Sequence, residues 1–83
     1  MENLIARFDL DQRNEEESIT LAIDLLSNYN LDVSNEYTQM LDTNIEFTFD
    51  DVLQDLETYA MRNVGHSVYV EESQLYIIDD SSA

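Results

Sequence analysis

The groups in this chain with chemistry to offer are carboxylates. They fall in short runs: Glu15, Glu16 and Glu17; Asp50 and Asp51 with Asp55 and Glu57 beyond them; Glu71 and Glu72; and Asp79 with Asp80. Nineteen acids stand against three arginines in 83 residues, for a formal net charge of −16. Carboxylates can form an acid–base pair, hold a cation, or present a repeating negative surface. An acid–base pair needs one buried member and two unequal environments. These runs sit at the starts of elements or in turns, so all are expected to face solvent. A calcium loop beginning at Asp9 fails on spacing, because its sixth position is Asn14 instead of glycine and its twelfth is Thr20 instead of glutamate. No metal and no cofactor are expected. The third use fits better. Asp51 and Asp55 lie about 6 Å apart along a helix axis, a pitch of the same order as successive phosphates, since duplex DNA rises ~3.4 Å per base pair. A surface of this kind could occupy the groove of a basic nucleic-acid-binding protein, with steering and a steep salt dependence that follow from opposite charge.

Other chemistries find little support. His66 is the only histidine and follows the only glycine, Gly65. Its simplest role is that of a side chain favoured by the negative end of a helix dipole. A nucleophile with its base, a phosphate-cradling loop and a dinucleotide fingerprint are all missing from the sequence. The expected protein is not an enzyme. No cysteine supplies a disulfide or a thiolate ligand.

The clearest positioning element is the stretch 48–65, TFDDVLQDLETYAMRNVG. Phe49, Val52, Leu53, Leu56, Tyr59 and Ala60 recur at spacings of three and four, one apolar stripe of a helix. Thr48 is placed to cap it, with Asp51 three residues on, and Gly65 to end it in the left-handed region. Asp50, Asp51, Asp55 and Glu57 are assigned to the face away from the stripe. A second helix is expected from a cap at Asn14 to about Asn30, with Ile19, Ala22, Ile23, Leu26 and Tyr29 inward and the Glu15–Glu17 run in its first turn. Residues 3–10 alternate as a strand, placing Leu4, Ala6, Phe8 and Leu10 on one face. Ser34 can cap a short helix in which Tyr37, Met40 and Leu41 face inward, and Ile45 and Phe47 form a brief extended piece. After Gly65, HSVYVEESQLYIIDD reads as two strands joined by a turn at Glu71-Glu72-Ser73. Residues 79–83 are expected to fray.

These elements predict one small α+β domain spanning 1–83, with a three-stranded antiparallel sheet (the N-terminal strand plus the C-terminal hairpin) packed on two or three helices. A winged-helix-like outline is the alternative. An apolar fraction of 43% with eight aromatics argues for a folded chain despite the charge. With no basic or continuously apolar N-terminal run, the expected compartment is the cytoplasm. Direct binding to nucleic acid or to a membrane is not expected, because so acidic a surface cannot neutralise phosphates.

A basic nucleic-acid-binding protein or nucleoprotein complex is the natural partner. Glu15, Glu16, Glu17, Asp50, Asp51, Asp55, Glu57, Glu71 and Glu72 are the expected contact residues. In size, charge and lack of a catalytic signature, the chain resembles the small acidic inhibitors that phages and mobile elements direct against restriction or CRISPR systems. That resemblance implies a DNA mimic that acts by occlusion. An acidic surface also serves solubility and adaptation to high salt. The other binding role is that of an antitoxin, immunity protein or adaptor using the apolar outer face of the hairpin, where Tyr69, Tyr76 and Ile78 are expected and where a homodimer could form.

Overall fold

The structure, a computed structural model, describes residues 3–80. The elements run β1 (Asn3–Asp9), α1 (Glu15–Leu26), α2 (Leu31–Asp42), α3 (Phe49–Val64), β2 (His66–Glu71) and β3 (Gln74–Asp79). The three strands form one antiparallel sheet in the order β1-β3-β2. This is the α+β arrangement. The hairpin does not project as a wing, because β3 is the central strand and pairs with β1 along its other edge.

Local sequence accounts for the helix bounds. Asn14 and Glu17 close a capping box at the start of α1, and Thr48 and Asp51 close another at the start of α3. Gly65 ends α3 at φ 69°, where a side chain would clash. The first long helix stops at Leu26 rather than near Asn30, since residues 27–29 turn and Asn30 caps the next helix by accepting from Val33 N–H. Ser34 therefore lies inside α2 and is not its cap. It is buried and donates to the Ile23 carbonyl of α1 at 2.9 Å. Of the inward positions expected in that segment, Tyr37 packs against the core, whereas Leu41 stays 43% exposed.

Ile19, Ala22, Ile23 and Leu26 of α1 meet Val52, Leu56 and Ala60 of α3, and this double layer closes on Val68, Leu75 and Ile77 of the sheet. Ala6 and Phe8 complete the inner face of β1. Leu4 does not join them. A bulge at Ile5 shifts the register so that Leu4 opposes Ile78, on the face of Tyr76. On that outer face Tyr69 and Tyr76 sit opposite each other with stacked rings 5.0 Å apart. Ile78 is only 6% exposed, so it cannot serve as an outward contact. Asp79 ends β3 and Asp80 N–H bonds the Gly65 carbonyl at 2.9 Å, so the expected fraying does not begin at 79. The expectation for 81–83 lies outside the described residues.

Candidate functional site

Helices α1 and α3 run side by side in the same direction. Their N-terminal ends share a groove lined by Glu15, Glu16 and Asp51. At their C-terminal ends, Asn63 Nδ2 in the last turn of α3 donates to the Tyr29 carbonyl at 2.6 Å, and the Tyr29 hydroxyl lies 2.8 Å from His66 Nδ1. Two positive helix-dipole ends thus meet at one place, and Glu15, Glu16, Glu17, Asp50 and Asp51 are gathered around them. The hairpin turn comes to the same end. Asp9, Gln74 and Glu71 share one register line across the sheet, and Leu10 N–H bonds the Ser73 carbonyl at 2.8 Å just before the chain enters α1. Glu71 and Glu72 therefore belong to the end that carries the helix-start acids. Asp79 and Asp80 lie at the opposite end, where the Ser67 hydroxyl donates to Asp80.

The predicted residues are not equivalent. Glu15, Glu16, Asp50, Glu71 and Glu72 are exposed. Glu17 and Asp51 are engaged in their capping boxes: Glu17 Oε1 accepts from Asn14 N–H at 3.2 Å, and Asp51 Oδ2 accepts from Thr48 N–H at 2.9 Å. Asp55 departs from the outward face assigned to it. It is half-buried against α2 and accepts the Tyr37 hydroxyl proton at 2.5 Å. The regular pitch of Asp51 and Asp55 thus falls on two carboxylates that hold the fold together. Glu57 is exposed as a residue, yet nearby protein displaces water from its carboxyl and raises its pKa.

The groove adds residues that the charge pattern did not mark. It has a volume of about 810 Å³, and Ile19, Leu41, Ile45 and Phe47 line it together with Glu15, Glu16, Glu46 and Asp51. Ile45 is 54% exposed. The alternation of Ile45, Glu46 and Phe47 was the available signal, but period alone does not say whether the apolar side is covered. Among the described residues, no group of three or more His, Asp or Glu is placed to hold a metal ion, and no helix is long and apolar enough to cross a membrane. The site places negative charge beside accessible apolar surface. No family model, no curated protein and no solved structure matches this chain.

Proposed function

We propose that this chain is a non-enzymatic acidic inhibitor that blocks a basic nucleic-acid-binding protein by taking the place of its nucleic acid, with a restriction or CRISPR complex of a host cell as the leading candidate target. The observation that carries this reading is the convergence of Glu15–Glu17, Asp50-Asp51 and Glu71-Glu72 at one end of a domain with net charge −16. Helix starts and a tight turn fix the backbone that carries these carboxylates, so a phosphate-binding groove can meet them without ordering a flexible tail. The action fits the cytoplasm, where such complexes meet nucleic acid.

Neutralisation at exposed positions tests it. Asp51 and Asp55 are poor choices, because replacing them breaks a cap and the Tyr37 contact. Glu15→Gln, Glu16→Gln and Asp50→Asn combined should weaken partner binding at least roughly tenfold and make its salt dependence shallower, with the helical circular dichroism retained. Duplex DNA should elute the partner from the immobilised wild-type protein. Full affinity in the triple variant would sink the proposal. A second reading, an antitoxin, immunity protein or adaptor working through the outer sheet face, draws on the stacked Tyr69–Tyr76 pair. It predicts binding that high salt barely changes.

A further inference from the structure

The groove between the start of α1 and the α2–α3 connection is built, not incidental. Asn44 takes φ 58°, Asn44 N–H bonds the Leu41 carbonyl at 3.3 Å, and Ile45 N–H bonds the Met40 carbonyl at 2.9 Å. Those bonds form a Schellman motif, which fixes the backbone at the end of α2. Leu41 and Ile45, two large aliphatic side chains, are consequently held in partial contact with water at 43% and 54% exposure. Glu15, Glu16, Glu46 and Asp51 border them. An uncovered apolar floor is unfavourable in water, and the carboxylates around it repel an acidic occupant and attract a cationic one. A volume of about 810 Å³ is ample for two or three aliphatic side chains.

From this we infer that the groove receives a Lys/Arg-rich segment of the protein partner that inserts an aliphatic anchor between Leu41 and Ile45, with its flanking cations meeting Glu15, Glu16 and Glu46. The inference rests on the reading of the chain as an inhibitor of a basic protein and names the part of that protein it grips. Charge then supplies steering, and the anchor supplies residence time.

Two labelled synthetic peptides of equal charge test it: an amphipathic helix with leucines three and four apart and lysines elsewhere, and the same peptide with serine for leucine. In 150 mM salt the leucine peptide should bind at least tenfold more tightly. Ile45→Ser should erase that difference, while Leu31→Ser, which removes an equally exposed aliphatic side chain at the start of α2, should leave it intact. Circular dichroism checks that both variants fold. Equal binding of the two peptides, or equal effects of the two substitutions, overturns the inference. If the leucine peptide behaves as expected but DNA fails to displace the natural partner, the groove stands and nucleic-acid mimicry falls. Should DNA displace the partner while the peptides bind alike, mimicry stands and the anchor falls.

Discussion

Tyr37 has one proton and two acceptors within reach, the Asp51 carbonyl at 3.1 Å and the Asp55 carboxylate at 2.5 Å. The charged acceptor is the stronger, so the phenol ties α2 to the flank of α3. Burial, that hydrogen bond, and the negative field of Asp55, Asp51 and Glu36 all oppose the phenolate, and Tyr37 ionises well above the usual 10.0. The folded chain therefore keeps a proton that the unfolded chain releases. The stability this confers is complete below about pH 10 and is lost as pH rises through the folded value. Tyr37→Phe should remove part of the late phase in an alkaline absorbance titration, leaving the part due to Tyr29, whose pKa burial also raises. It should cost about 1 kcal/mol at neutral pH and make the alkaline decline in stability shallower. Glu57 works in the same direction at acidic pH. Folding opposes its ionisation, so its contribution is present below the ordinary carboxylate value of 4.5 and lost as pH climbs past it. Thermal melts of Glu57→Gln should show a higher midpoint at pH 7 than wild type and a flatter profile as pH rises above 4.5.

At the scale of elements, the hairpin carries the plainest conflict between sequence and geometry. Glu71 pairs with Gln74 across a two-residue loop whose members, Glu72 and Ser73, sit at φ 51° and 62°. That is the type I′ pattern, in which Asn-Gly is favoured because both residues need positive φ. A β-carbon in the left-handed region costs about 1–2 kcal/mol per residue. Glu72→Asn with Ser73→Gly should raise stability by about 1–2 kcal/mol, measurable by urea denaturation, and it also removes one acid of the proposed contact end. The starts of α1 and α3 and the end of α3 were legible in the sequence because caps are local: Asn14 with Glu17, Thr48 with Asp51, and Gly65 all act within a few residues. The start of α2 was misplaced to Ser34, although its cap, Asn30 on Val33 N–H, is equally local. The contact that Ser34 makes was not legible, since its acceptor lies eleven residues away in another helix and only the tertiary fold brings it close. The bulge at Ile5 was equally hidden, because Leu4 is apolar on either face of a strand. As for the acidic end, its separate runs are plain in the sequence. Their meeting depends on α1 and α3 running parallel, which no local pattern records.

For the whole molecule, charge acts on folding and on binding with opposite signs. Acids at the helix starts stabilise by about 0.3–1 kcal/mol each, and only within the first turn. Like charges about 10 Å apart repel by roughly 0.4 kcal/mol per pair even in water. With a net charge of −16 on a chain whose radius of gyration is 12.7 Å, repulsion is expected to dominate. Raising salt from 0.15 M to 1 M shortens the screening length from about 8 Å to about 3 Å. Repulsion should fall more than dipole stabilisation, and the thermal midpoint should rise, by roughly 4–8 °C for each kcal/mol gained in a domain of this size. Over the same range the affinity for a basic partner should drop. The two trends measured together are more informative than either alone, because a complex lost at high salt while the protein melts later has been lost to screening and not to unfolding. A melting temperature that stays flat from 0.15 M to 1 M salt would show that the carboxylates are already neutralised within the fold, and the surface could then no longer stand in for a run of phosphates.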